Sequence, residues 1–203
     1  MSSLFSYIMR ADTGFSPHVD LRCLYLSLAC CKPGIRRSAK EDDWVLGIGG
    51  MELHKKSGTD MVGRLIYAAK VNQMLDFDSY FSNSSFNGRL DNIYRSVDGK
   101  GQEWIQAKNP HHSERHIEKD TSANRVLISD HFLYFGSEGP RIEDLGSQFL
   151  ALLKKGPGHK KFDLERESVA KRFIESLEGK FDFNKCSTPT EAGRSAACDE
   201  CEL

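Results

Sequence analysis

The run Trp44-Val45-Leu46-Gly47-Ile48-Gly49-Gly50 constrains the fold most. It is apolar, contains β-branched and aromatic residues, and lies between the acidic Glu41-Asp42-Asp43 and the polar loop His54 to Gly58, so it predicts a core β-strand. Side chains alternate across a strand, which sends Trp44, Leu46 and Ile48 to one face and Val45, Gly47 and Gly49 to the other. The second face is nearly bare backbone. A flat group such as a base can approach a glycine floor closely, and the same glycines also suit a bulge or a barrel corner.

Further strands are predicted around this one. Leu4 to Met9 is a short aromatic-rich run that ends at Arg10 to Gly14, and Gly63 to Val71 has the content of another core strand. Asp20 to Ala29 reads as a buried strand or a helix, ended by Lys32-Pro33-Gly34. Ile35 to Lys40 reads as a basic turn, and Met74 to Phe81 as a turn and short helix. Arg125 to Ser129 and His131 to Gly136 make one long strand or a bent pair. The polar stretch Ser82 to Asn124 is too long for a plain connection, so it is a functional insertion or a set of short hairpins.

Helical periodicity comes late. Ile142, Leu145, Phe149, Leu152 and Leu153 form one apolar stripe; Leu164, Val169, Phe173, Ile174 and Leu177 form a second, with Asp163 placed to cap it and Gly179 to end it. Strands first and helices last, without regular alternation, predict an α+β fold: a mixed or antiparallel sheet packed by C-terminal helices, with closure into a small barrel as an alternative. One domain is expected over residues 1–180 and a flexible tail over 181–203, where apolar residues nearly vanish after Ser187.

Charge and cysteines narrow the partners. With 28 Lys+Arg against 29 Asp+Glu the net charge is -1, so any contact with nucleic acid has to be local. No apolar run is long enough to span a membrane and the start lacks a leader pattern, which predicts a cytoplasmic protein with no membrane partner and reduced thiols at Cys23, Cys30, Cys31, Cys186, Cys198 and Cys201. Cys198 and Cys201 have half the spacing of a zinc site without a second pair, so no metal site is assigned.

Two constellations have chemical potential. Arg36, Arg37 and Ser38, just before the glycine floor of Gly47 and Gly49, form a candidate nucleotide-binding wall, and the same residues also suit a solvated face. Trp44, Tyr67, Tyr80 and Tyr134 are the aromatic residues suited to stack on a base. His112, His116 and Asp120 are spaced i, i+4, i+8, which on a helix begun by Pro110 sets two imidazoles and a carboxylate on one face as candidate catalytic residues. A mobile surface loop is the other reading of that segment. A metal there would need a further ligand. Between the late helices, Lys154, Lys155, Lys160 and Lys161 make the strongest local basic patch, suited to a phosphate backbone or to plain solvation. The cofactor is left open.

Ordered blocks along the chain carry a resemblance. They are Leu4-Phe5-Ser6-Tyr7 with Asp12-x-Gly14-Phe15-x-Pro17; Cys31-Lys32-Pro33-x-Ile35-Arg36-Arg37-Ser38-Ala39-Lys40 with Asp43-Trp44-Val45-x-Gly47; and Gly63-Arg64-Leu65-Ile66-Tyr67-Ala68. Phe77-Asp78-x-Tyr80, Asp91-Asn92-Ile93-Tyr94 and Val126 to Gly136 follow in order. Together, over residues 3 to 160, they resemble the nucleotide modification associated domain 2 family. The resemblance implies a place beside systems that install or process modified bases in DNA, with protein partners drawn from such a system; it brings no catalytic residues with it. The order of a basic turn, a carboxylate-Trp-Val-x-Gly strand and a Gly-started strand is also similar to PUA and EVE modified-base-binding domains.

The leading expectation is a binding module for nucleotides or modified nucleic-acid bases, with residues 109–120 closing the wall opposite Arg36. An enzyme working through His112, His116 and Asp120 is the alternative. A protein-interaction scaffold within a modification operon is the third.

Overall fold

A computed structural model describes residues 1–20 and 22–191. The first half of the chain runs β1 (Ser3–Met9), β2 (His18–Val19), β3 (Leu26–Leu28), α1 (Pro33–Ser38), β4 (Trp44–Gly49), α2 (Met51–Ser57), β5 (Leu65–Lys70), β6 (Gln73–Leu75) and α3 (Phe77–Ser82). The second half runs β7 (Tyr94–Ser96), β8 (Trp104–Gln106), α4 (Ile117–Thr121), β9 (Val126–Ser129), β10 (His131–Tyr134), α5 (Ile142–Leu145), β11 (His159–Asp163), α6 (Ser168–Lys180) and β12 (Lys185–Cys186). Strands β11-β1-β4-β5-β10-β12 form a mixed six-stranded sheet, in which β1 and β4 are parallel and β4 and β5 antiparallel. A smaller antiparallel sheet has the order β2-β3-β9-β6, and β7 and β8 form a separate hairpin.

The alternation predicted for β4 holds. Trp44, Leu46 and Ile48 join Leu4, Leu65, Phe149, Phe173 and Leu177 in one core, between the large sheet and α6. Val45 faces the other way and packs with Phe5, Tyr7, Met9, Tyr67, Leu28 and Leu127 in a second core between the two sheets. Strand β9 alternates as well: Leu127 belongs to that second core, while Val126 and Ile128 turn to a third, with Phe15, Phe77, Tyr80 and Tyr94 beneath α3 and the hairpin. The α+β class is as expected. Among the described residues neither sheet closes into a barrel, because β11 and β12 end the large sheet as separate edges.

Several local expectations change. The basic turn at 35–40 is helix α1, begun by Pro33, whose missing N–H costs nothing in a first turn. The expected bent pair over 125–136 is divided between the two sheets, as β9 and β10. The first late helix is broken at Gly146 into α5 and a 3-10 segment over Ser147–Leu152, with Gly146 at φ 150°. Helix α6 starts at Ser168; Asp163 instead accepts from the backbone N–H groups of Glu165 and Arg166, and Gly179 stays inside the helix.

The expected tail begins as packed chain. Strand β12 pairs with β10, Thr190 donates through its N–H and hydroxyl to Asp12, and Glu191 is buried and accepts the N–H of Asp12. This return brings Cys186 beside Cys23 and the two are disulfide-bonded, at a Cα–Cα separation of 6.0 Å that suits such a bond. The expectation of reduced thiols is corrected for that pair. Cys30 and Cys31 are not disulfide-bonded, and Cys198 and Cys201 lie outside the described residues. No helix among the described residues is long and apolar enough to cross a membrane.

Candidate functional site

The wall expected around Arg36 does not assemble. Arg36 is fully buried and its guanidinium donates to four main-chain carbonyls, those of Cys31 (2.8 Å), Ala123 (2.6 Å), Arg125 (2.8 Å) and Asp120 (2.6 Å). Four of the five donors of the fork are thus taken by main chain, and its burial keeps it from a phosphate in solvent. Arg37 and Ser38 are exposed, but Arg37 donates to the Ser122 carbonyl beyond α4 and Ser38 to the Gly34 carbonyl one turn back in α1.

The glycine floor is covered as well. A Cβ at Gly47 would collide with the Tyr67 ring and the Met9 sulfur, and one at Gly49 with the Met61 carbonyl oxygen, so these glycines admit neighbouring core atoms. Trp44 lies on the opposite face, in the α6 core. Tyr134 is buried with its hydroxyl donating to Asp12, and burial beside that carboxylate pushes the phenol well above its usual range. Tyr67 donates to the Tyr7 hydroxyl and Tyr80 to Asp91 and Ser27. All four expected stacking rings are core residues.

The histidine segment does come together, without the single helix expected of it. His112 precedes a 3-10 turn over Glu114–His116, and Asp120 follows in α4. His112 Nδ1 lies 2.8 Å from Asp120 Oδ2, with both side chains fully withdrawn from solvent. The His116 ring stacks on His112 at 4.4 Å between centroids, and its Nε2 is buried without a hydrogen-bond partner among the described residues. Burial, reinforced by His112, holds the His116 imidazole below its usual range, so it favours the neutral form.

The cluster also contains residues the sequence did not single out. Cys31 Sγ is 3.7 Å from His112 Nε2 and the Cys31 N–H donates to Asp120 Oδ1 at 2.7 Å, while the Tyr94 hydroxyl donates to Asp120 Oδ2 at 2.9 Å. Asp120 therefore holds one ring nitrogen of His112 and Cys31 meets the other. Cys31 and Lys32 both adopt left-handed backbone, at φ 58° and 41°, where the chain leaves β3 and enters α1. Non-glycine residues avoid this region, each at a cost of roughly 1–3 kcal/mol.

Cys30, His112 and Asp120 also bring a sulfur, a nitrogen and an oxygen within 4.8 Å of one another, three donor types a metal ion uses. The carboxylate here accepts from the Cys31 N–H and the Tyr94 hydroxyl and stands against Nδ1, so the imidazole bridges carboxylate and thiol. That arrangement orients a base.

Behind this cluster is an open cleft of about 800 Å³. Lys32 to Ile35 form one wall, Met51, Glu52 and Lys55 of α2 another, and Lys154, Gly156, Pro157, Gly158 and His159 a third. Ile8, Met9 and Arg10 close its base from β1 and Lys119 lines it from α4. Among the described residues, Arg10, Lys32, Lys55, Lys119 and Lys154 bring five cations against one carboxylate, Glu52, which pairs with Arg10 at 2.5 Å. The expected lysine loop thus supplies one side of the cleft. Lys160 and Lys161 are on β11, where Lys161 lies over the Phe5 ring.

The signals that were missed are visible in hindsight. Cys31 stands directly before Lys-Pro-Gly, and its neighbours in an apolar run made it look like a small buried hydrophobe. Lys32 and Lys119 are single lysines far apart in sequence, so only the packing of α1 against α4 brings them to one cleft.

No curated protein and no solved structure shows significant similarity to the chain. Residues 1–196 match the family described as nucleotide modification associated domain 2, which agrees with the ordered blocks read from the sequence. With nearly the whole chain matched, the protein belongs to the nucleotide modification associated domain 2 family.

Proposed function

We propose that this protein binds a nucleotide, free or within a nucleic-acid strand, through its phosphate in the cleft beside α1. One observation carries the reading: among the described residues five cations and a single carboxylate line a cleft of about 800 Å³, a size suited to a nucleotide, in a chain whose net charge is only -1. The local excess of positive charge is therefore a property of this site. The backbone of Gly156 and Gly158 gives close access to the main chain there. Membership of a nucleotide-modification family makes a nucleotide the natural anion.

The test is thermal unfolding with plain and modified nucleotides and short oligonucleotides at several salt concentrations. A ligand at a hundred times its dissociation constant adds about 2.7 kcal/mol. Lys55→Glu with Lys154→Glu, both away from the packed core, should remove the shift and weaken its salt dependence. A flat response to the whole panel refutes binding and leaves the interaction-scaffold reading.

The second reading, an enzyme acting on nucleotides or bases, is favoured by the His112–Asp120 pair at 2.8 Å. His112→Gln should then abolish turnover of a nucleotide that still binds, and unchanged turnover would remove the pair from the chemistry.

A further inference from the structure

Cys31 is buried in the core beneath α3 and the hairpin, yet its neighbours are not those of a simple hydrophobe. The geometry around it is that of a nucleophile. Its sulfur is 3.7 Å from His112 Nε2, and the opposite ring nitrogen is 2.8 Å from Asp120 Oδ2. A carboxylate on Nδ1 fixes the tautomer with its proton there and leaves Nε2 as the acceptor facing the S–H. Tyr94 and the Cys31 N–H hold the carboxylate in turn, at 2.9 and 2.7 Å. Cys31 itself is at a left-handed corner between a strand and a helix, a conformation that cysteine does not prefer and that the surrounding contacts impose.

Cys31, His112 and Asp120 lie under the wall of the cleft, and Cys31 and Asp120 reach it through their chain neighbours. Lys32, directly after Cys31, lines the cleft, as does Lys119, directly before Asp120. We propose that Cys31, His112 and Asp120 form a nucleophilic triad that takes an acyl group from a phosphate-bearing substrate held in the cleft. The choice of substrate rests on the nucleotide-binding reading above; the triad rests on its own distances.

The step balances with the groups present. His112 Nε2 takes the thiol proton as Sγ bonds to the carbonyl carbon, and the carbonyl π pair moves to oxygen. When the oxygen pair returns, the bond to the leaving group breaks and His112 returns the proton to that group. Water, deprotonated by the same nitrogen, then cleaves the thioester and regenerates the thiol.

Cys30 is the neighbouring thiol against which Cys31 is compared: its sulfur also comes within 4.8 Å of the His112 and Asp120 donor atoms, but Cys31 Sγ is the one that meets His112 Nε2 at 3.7 Å. It is as deeply buried as Cys31, and its sulfur contacts the Asp91 carbonyl at 3.6 Å. The experiment treats the full chain with p-nitrophenyl acetate, follows p-nitrophenol release, and locates the acetyl group by peptide fragmentation. Cys31 should acylate about 100-fold faster than Cys30, the usual gain from a positioned base. Cys31→Ser should remove the burst; His112→Gln should slow it about 100-fold with the near-ultraviolet circular dichroism unchanged.

No acetyl group on Cys31, or equal labelling of Cys30 and Cys31, overturns the triad even if the substituted chains fail to fold, because both are read on the unaltered protein. Thermal shifts with nucleotides, measured on the same preparation, separate the two readings. A nucleotide shift without acylation refutes the triad alone, and acylation without a nucleotide shift refutes the cleft alone.

Discussion

Arg36 Nη2 donates to the main-chain carbonyl of Asp120 at 2.6 Å, and through this bond helix α1 holds the carboxylate that pairs with His112. The same guanidinium holds the carbonyls of Cys31, Ala123 and Arg125. It is a brace between the segments that supply the site.

Arg36→Met should therefore act on stability. The removed fork leaves buried carbonyls without donors, each costing about 1–3 kcal/mol, so a total loss of about 3 kcal/mol or more is expected in denaturant unfolding. If the protein were instead unchanged in stability and lost only nucleotide affinity, Arg36 would be a ligand contact after all.

Gly47→Ala is a second stability test of what the sequence presented as a ligand floor. The added methyl group meets the Tyr67 ring and the Met9 sulfur in the core between the sheets, and overpacking of this kind costs roughly 1–3 kcal/mol. Nucleotide shifts, scaled to the lower melting temperature, should be preserved. A stable variant that no longer responds to nucleotides would restore the floor as a binding surface.

Strand pattern was legible because alternation is local: Trp44, Leu46 and Ile48 face α6 while Val45 faces the smaller sheet, as period two requires. The chemistry of the glycines and arginines was not, because whether Gly47 receives a base or the Tyr67 ring depends on a strand nearly twenty residues away. Arg36 reads as a solvated cation until α4 and the connection from it to β9 deliver carbonyls to it across more than eighty residues. His112, His116 and Asp120 were found for a spacing that the chain does not use: a 3-10 turn and a short helix bring together what one continuous helix was expected to align. Cys31 needed two long-range contacts, to His112 and to Asp120, before its role was visible.

Acid should weaken the fold through its histidines. Burial lowers the affinity of His18, His116, His131 and His159 for protons relative to the ordinary value of 6.5. Below that value the unfolded chain binds more protons than the folded one, so stability falls as pH drops from 6.5 through the lowered range and is flat above it. Asp12, raised by burial, has the opposite sign and offsets part of the loss at the acid end. Melting temperatures measured across this range should fall toward acid, and His131→Gln, at a partly exposed position, should reduce the slope. A melting temperature that rises toward acid would contradict the direction of these shifts.

Binding should carry its own pH signature through His159. Burial, then Lys161, Lys32 and Lys154, hold this imidazole below its usual range, and it lines the cleft where a phosphate is proposed to sit. A bound dianion opposes the lysine field and raises the affinity of His159 for its proton. By linkage, protonation then tightens binding, so nucleotide affinity should increase as pH falls through the lowered range and level off above the ordinary value. Calorimetry in buffers of different ionisation heat should register proton uptake on binding, and His159→Gln should abolish both the uptake and the slope. An affinity independent of pH, with no proton taken up, would place the phosphate away from His159 and move the ligand toward the α2 side of the cleft.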